Sequence, residues 1–260
     1  MASSISDIKK YREFDSYELD IEIHRGQDVF IAAKIPSEPP EGITYQFGPS
    51  GYIGDPSSDY CVIPTTWRNV NNYCHWNFSE LPYLFLAFES NVKNIVLPDA
   101  IIDSQLSFQK RWMELLSSLY PNKRIHRVSD SKFPKNALFP INHDTSASTK
   151  PIGKCAYKHY HHSRATPYLI DRVDREYKKH FMLPTKKFKS IKYIYINRHN
   201  RRLKNEMEVQ EMLQEIGFVI VNLEDLTLDE QILVFANAKI IIGFHGAGLS
   251  NLLYANSSAK

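Results

Sequence analysis

Cysteine is scarce and odd in number: Cys61, Cys74 and Cys155 are all the chain has in 260 residues, and no two stand in a C-x-x-C spacing. That argues against a disulfide framework and a zinc ribbon, and fits a reducing, cytoplasmic setting. Long apolar runs are missing as well. Stretches such as Ile240 to Ile242 fall far short of the roughly 20 residues that a membrane-spanning helix needs. Met1 to Tyr11 has no apolar segment of the secretory kind, so export is not expected. Glycine (10) and proline (14) are too few for a collagen-like or low-complexity chain. No internal repeat is visible. What the chain does have is 43% hydrophobic and 12% aromatic residues, enough to build one or two cores.

Charge is unevenly placed. The formal net charge is +3, yet Ser148 to Lys204 holds sixteen Lys and Arg against only Asp171, Asp174 and Glu176. The rest of the chain is therefore net acidic, and one region is built to attract anions. Nucleic acid, phosphorylated ligands and acidic membrane surfaces are the partner classes such a stretch suits, peripheral membrane association among them. A merely solvated basic face is the competing reading.

Periodicity and punctuation organise the chain. The first sixty residues read as short strands and turns, with Asp28 to Ile35 closed by Pro36. Asn77 to Ser90 has near-helical apolar spacing, with Pro82 confined to the first turn and Asn77 or Ser79 as the cap. Asn94 to Leu97 reads as a strand, and Ser104 to Leu119 as an amphipathic helix. Between Ser129 and His162 the pattern breaks down into an irregular connection, which sets the expected domains at 1–150 and 151–260. Arg164 to Lys179 then reads as helical. Beyond it strand and helix alternate: Ile191 to Asn197 (strand), Glu206 to Ile216 (helix, ended by Gly217), Phe218 to Asn222 (strand), a helix from Thr227 to Ala238 opened by a Thr227/Glu230 capping box, and Lys239 to Gly243 (strand). Short connections and continuous apolar strands predict a parallel, doubly wound sheet.

Ligands of such sheets sit at the carboxyl ends of the strands. After the first strand come Arg198, Arg201 and Arg202, whose guanidiniums suit phosphate oxygens. After the third comes Phe244-His245-Gly246-Ala247-Gly248-Leu249-Ser250-Asn251, where small residues let backbone N–H groups approach an anion at a helix start. A purely structural strand-to-helix turn with a packed His245 remains open at this level. Three other readings of these residues fail. A dinucleotide fingerprint needs glycine where Asn251 stands. A lipase-type oxyanion loop needs a G-x-S-x-G elbow, and no such pair of glycines exists. No Walker loop occurs. His159, His161 and His162 lack nearby carboxylates to orient metal ligands and read as surface. Cys74 beside His75 reads as a packed residue like Cys61 and Cys155, not a nucleophile.

The same residues carry a resemblance. Arg198 and Arg202 with Asn205-Glu206 in NRHNRRLKNEMEV, the stretch EDLTLDEQILVFANAKIIIGFHGAGLSNLLY, and NVNNYCHWNFSELPYL from Asn69 to Leu84 resemble glycosyltransferase family 61. That family includes protein O-linked N-acetylglucosaminyltransferases, xylan glycosyltransferases and bacterial capsular polysaccharide enzymes. The resemblance runs from Asn69 to the chain end and leaves the first sixty residues largely uncovered. It implies a GT-B-like architecture, with two Rossmann-like α/β domains facing a cleft. It also implies inverting transfer of a sugar from a nucleotide sugar, usually UDP-linked, to a hydroxyl of a polysaccharide or glycoconjugate.

On that basis 1–150 is expected to be the acceptor side and 151–260 the nucleotide-sugar domain. Arg198, Arg202, Asn205, Glu206, His245, Gly246, Ala247, Gly248 and Asn251 are expected to hold the donor. His75 and Glu80, a histidine and an acid five apart, are the catalytic candidates for activating the acceptor hydroxyl. No D-x-D occurs, so no metal and no cofactor is expected, and cationic side chains with a helix N-terminus would take the charge on the leaving diphosphate. No nucleic-acid partner is expected, because the basic stretch spans a connection and a strand instead of one recognition element. Family members continue past the HGAGL helix into a further strand and closing helices, so the C-terminal domain is expected to be incomplete here. The alternative function is accordingly a truncated or non-catalytic relative that binds a nucleotide or partner without turnover.

Overall fold

The computed structural model describes residues 9–12, 18–24, 30–34, 50–54, 58–63, 71–129, 137–142, 167–181, 188–198 and 203–260. The chain separates into two compact units, Met1–Leu169 and Ile170–Lys260. The boundary expected after residue 150 lies outside the described residues, as do His159, His161, His162 and Cys155.

The first unit opens with an antiparallel sheet of β1 (Lys9–Arg12), β2 (Glu18–His24) and β3 (Phe30–Lys34), with Ile21 opposite both Lys9 and Ala33. A second sheet has five strands in the order β4-β8-β5-β6-β7. Of these β5 (Tyr60–Val62), β6 (Asn94–Leu97) and β7 (Arg124–Arg127) run parallel. β4 (Ser50–Gly54) and β8 (Leu138–Asn142) form an antiparallel pair joined to β5 at Cys61 and Leu138. β7 and β8 lie where no strand was expected. β7 (RIHR) is a charged edge strand with Ile125 exposed, so it lacks the apolar signature, and its charges oppose edge-to-edge association. β8 contains Pro140, which normally demotes a strand. It meets β5 only at Leu138, so Pro140 stands where one flank has no ladder to complete.

A helical run crosses from β5 to β6. It comprises α1 (Tyr73–His75), a π-turn (Trp76–Glu80) and α2 (Leu81–Glu89). Its cap is Asn72, not Asn77 or Ser79: Asn72 Oδ1 accepts from the N–H groups of Cys74 (3.0 Å) and His75 (3.2 Å). Pro82 is tolerated because the π-turn has already broken the regular α-helical bonding just before it, with Leu81 N–H donating to Trp76 O. Every residue from Leu81 to Phe88 is buried, so α2 is enclosed on all sides instead of presenting one apolar stripe. α3 (Asp99–Ile102) and α4 (Ser107–Leu119) follow β6, and Trp112 on α4 packs on Phe85 with ring centroids 5.4 Å apart. Lys123 Nζ donates to the carbonyls of Ser90 and Val92, closing the end of α2.

The second unit begins in α5 (Pro167–Arg172), which passes into a π-turn (Val173–Tyr177) and a 3₁₀ turn (Lys178–Phe181). The three acids of the basic stretch are spent here on neighbours: Asp171 on Arg175, Asp174 on Lys178 and Glu176 on Lys179. Then come β9 (Tyr193–Asn197), α6 (Glu206–Glu215), β10 (Val219–Asn222), a 3₁₀ turn (Leu223–Asp225), α7 (Leu228–Asn237), β11 (Ile240–Gly243) and a 3₁₀ helix (Ala247–Tyr254). The sheet is parallel with order β10-β9-β11, as the alternation predicts.

Gly217, at φ 91°, ends α6 in a Schellman pair: Phe218 N–H donates to Leu213 O and Gly217 N–H to Gln214 O, each 2.9 Å. The Thr227/Glu230 capping box forms as expected. One face of β9 carries Ile196 toward the 3₁₀ helix, and the other carries Tyr195 and Asn197 toward α6. At the other edge Lys260 N–H donates to Lys239 O and Lys260 O accepts from Ile241 N–H, both 2.9 Å, in parallel fashion along β11.

The α/β expectation therefore holds at the level of Rossmann-like parallel sheets. Phe85→Ala, which empties a fully buried site against Trp112, is expected to cost about 3–5 kcal/mol. A lowered urea midpoint at unchanged slope is the expected reading.

Candidate functional site

The strand order dictates where the site of the second unit falls. β9 is central, the next strand joins one flank and the one after joins the other. The loops leaving β9 and β11 therefore diverge and leave a crevice at the carboxyl ends of the strands. A cavity of about 100 Å³ lies there, lined by Ile196, Asn197 and Arg198 after β9, Leu223 and Glu224 after β10, and Phe244 and Gly246 to Leu249 after β11.

Arg198 ties two of these loops together. Its Nη1 donates to the carbonyl of His245 at 2.6 Å. The guanidinium passes directly over Gly246, where an added Cβ would come within 2.3 Å of Nη1 and 2.5 Å of Cζ. Gly246 is fully extended at φ 171°, so its backbone would suit any residue, and the reason for glycine is this close approach. Gly248 is constrained similarly, since a Cβ would lie 2.7 Å from Leu223 Cδ1. Beside this turn the 3₁₀ helix begins at Ala247, and first-turn N–H groups of a helix lack intrahelical partners. A guanidinium-bearing residue and the first residues of a helix thus line one cavity, a combination suited to anionic oxygens.

A family model, Glycosyltransferase 61, matches residues 73–260, from α1 through the whole second unit. The chain belongs to glycosyltransferase family 61. Membership implies a glycosyltransferase, with a sugar donor and a glycan acceptor. No curated protein matches the chain.

The residues expected to hold the donor in this family 61 protein divide by position. Arg198, Gly246, Ala247 and Gly248 line the cavity, and His245, itself exposed, anchors Arg198 through its carbonyl. Two others stand behind the wall. Glu206 is buried; its Oε1 accepts from Tyr195 Oη at 2.7 Å and from Gln210 Nε2 at 3.3 Å, while Oε2 accepts from Leu203 N–H at 3.1 Å. It fixes the chain leaving the loop after β9. Asn251 is fully buried and donates to Gln231 Oε1 at 3.0 Å; Gln231 Nε2 in turn donates to Leu223 O (2.9 Å) and Leu226 O (3.1 Å), clamping the turn after β10. Asn205 is exposed at the start of α6 and makes no capping bond with its side chain. Arg202, with Arg201, lies outside the described residues.

Three further residues stand in the stretches that carry the resemblance but were not expected as site residues. Glu224 lines the cavity, Asn197 bonds Asn222 Oδ1 (2.6 Å) and accepts from Gln210 (3.0 Å), and Gln231 holds the turn. Their signal was present, since Asn197 ends a strand and Glu224 stands two residues after another, the places where ligands are expected.

His75 and Glu80 belong to the first unit. α2 ends shortly before β6 begins, so the other end of the helical run, with His75, lies toward the carboxyl side of β5 and β6. Five residues apart on an α-helix, the two would point about 140° from one another. The intervening π-turn, with its i to i+5 bonding, draws that angle in. His75 is half-buried, whereas Glu80 is 0% exposed. Burial pushes up the thiol pKa of Cys74, and of Cys61 more strongly, as suits packed thiols and not nucleophiles.

Two outcomes are expected from this geometry. Gly246→Ala meets only the movable end of Arg198, so it should leave the melting temperature nearly unchanged while displacing that guanidinium and weakening anion binding, which calorimetry with pyrophosphate would read. Tyr195 has its phenol pushed up to about 12 by burial, by the bond to Glu206 and by the charge of that carboxylate. Tyr195→Phe should cost about 1–3 kcal/mol by depriving Glu206 of a donor. Because the folded-state value is raised, that difference is fully present below pH ~10 and fades as pH rises through the folded value; urea unfolding at pH 8 and at pH 11 would test it.

Proposed function

We infer that this protein is an inverting glycosyltransferase that moves a sugar from a UDP-linked donor to a hydroxyl of a polysaccharide or glycoconjugate without a divalent metal. The observation that carries this reading is the Arg198 guanidinium, held by the His245 carbonyl over Gly246, in one cavity with the start of the 3₁₀ helix. In this reaction the acceptor oxygen attacks the anomeric carbon from the face opposite the leaving group. The bond from that carbon to the diphosphate oxygen breaks, and the acceptor proton passes to the catalytic base. Arg198 and the N–H groups of the turn take the negative charge that develops on the departing UDP, the role a metal plays elsewhere. Arg202, Asn205, Glu206 and Asn251 complete the donor site in this reading, the last two by holding its walls.

His75 is the base we favour, because it is partly open to solvent and an imidazole titrates near neutrality. Glu80 acts with it from the far end of the π-turn. The units are proposed to form a GT-B pair, the first taking the acceptor and the second the donor. Free thiols at Cys61 and Cys74 fit the reducing, cytoplasmic setting of capsular polysaccharide assembly. One observation favours a second reading, a relative that binds the donor without turnover: the complete burial of Glu80 removes one of the two candidate bases from an incoming hydroxyl.

Thermal unfolding of the full chain with UDP in the presence of a chelator tests the donor site. UDP at about 100 times its Kd should add about 2.7 kcal/mol of stability, and Arg198→Ala should abolish the gain. His75→Ala should keep UDP binding and lower UDP release from UDP sugars with glycan acceptors by about 10²–10⁴. Stabilisation by UDP with no release from any UDP sugar would favour the non-catalytic reading. No stabilisation by UDP would defeat the donor assignment.

A further inference from the structure

Val209, Met212, Leu213 and Ile216 recur along α6 at the spacing of a single apolar face, yet of these four only Leu213 is buried. Met212 is 55% and Ile216 63% exposed. The topology gives the reason. α6 crosses from β9 to β10 and α7 returns past β9 to β11, so right-handed connections place the two helices on opposite faces of the sheet. On the face of α6 the β11 flank is left open. Ile242 pairs with Tyr195 and so shares that face; it is 39% exposed, as is Tyr193, and Ile240 is half-buried.

Viewed from the start of a helix, side chains advance clockwise by about 100° per residue. With Leu213 on the sheet, Gln210 falls on the β10 flank, where it bonds Asn197, itself bonded to Asn222 of β10. Val209, Met212 and Ile216 fall on the flank toward β11. They form the wall, and Tyr193, Ile240 and Ile242 the floor, of one apolar groove beside α6. An added helix fills such a groove at about 8–10 Å from its neighbour.

The groove has an acidic rim. Glu208, Glu211 and Glu215 are exposed on the outer side of α6, with Glu208 and Glu215 one turn to either side of Met212. No ion pair joins any of the three to another described residue. Like charges at this spacing destabilise a helix, so they suit an opposite charge that arrives with a partner. Two copies meeting by this surface across a two-fold axis would bring two acidic rims into one interface. An anionic lipid surface would be repelled as well.

We propose that this groove docks an amphipathic helix of a partner protein, its apolar stripe lying on Met212, Ile216 and Ile242 and its lysines or arginines meeting Glu208, Glu211 and Glu215.

Fluorescence anisotropy on the full chain tests this with a labelled 18-residue leucine–lysine amphipathic helix as the probe. Two control peptides accompany it, one with glutamate in place of every lysine and one of the same composition with its leucines spread around the helix. The probe should bind at least tenfold more tightly than either control. Met212→Ser combined with Ile242→Ser should weaken it about tenfold or more. Glu208→Gln, Glu211→Gln and Glu215→Gln together should weaken it and flatten its salt dependence. All of these side chains are exposed, so an unchanged melting temperature should accompany each loss. No preference for the probe over its controls, or binding that ignores the serine substitutions, would overturn the proposal. So would self-association in sedimentation, or flotation with phosphatidylglycerol vesicles, that the serine substitutions abolish, since the groove would then belong to a second copy or to a lipid surface.

Discussion

Parallel pairing of β9 on both its edges is the constraint from which the rest of the second unit follows. Ile194 pairs with Val219 of β10 on one side and with Ile241 of β11 on the other. A strand so placed is covered on both faces, which is why Ile194, Tyr195 and Ile196 are all buried and why the sequence there is continuously apolar. It also means that the chain leaves β9 in one direction and reaches β11 from the other. The crevice is thus a by-product of topology, and Arg198, the first residue beyond the strand, stands at its mouth.

Polar residues behind that mouth are arranged to hold backbone in place. Glu206, Gln210, Asn197 and Asn222 form a chain of hydrogen bonds across the carboxyl ends of β9 and β10. Asn251 and Gln231 do the same for the turn at Leu223. Buried polar groups are costly unless satisfied, and satisfied ones restrict the backbone to few arrangements. The loops of a ligand site gain most from that restriction, since a guanidinium or carboxylate on a wandering loop orients nothing. In the first unit the helical run carrying His75 is fixed by different means, an Asn72 cap at one end and a fully enclosed α2 at the other.

Elements governed by local patterns were legible in the sequence. The alternation from β9 to β11, the capping box at Thr227 and the stop at Gly217 all came from spacing and residue type, and they appear within a residue or two of the expected bounds. β7 and β8 were not legible, because a charged four-residue edge strand and a strand containing Pro140 owe their existence to neighbours distant in the chain. The helix cap at Asn72 was missed because the π-turn at Trp76–Glu80 shifts the phase of the apolar pattern that locates a helix start.

The sequence by itself determined the family, the α/β class and the two loops that meet an anion, because motif spacing and apolar periodicity are properties of contiguous residues. Tertiary structure alone decided which of the marked residues face the cavity. Glu206 and Asn251 carry the motif as plainly as Arg198 does, yet they turn inward to hold backbone, whereas Glu224, in a quoted stretch but not among the expected donor residues, lines the cavity. Which way a polar side chain faces depends on what packs behind it, and those partners, Leu203 and Tyr195 for Glu206 and Gln231 for Asn251, are brought there only by the fold.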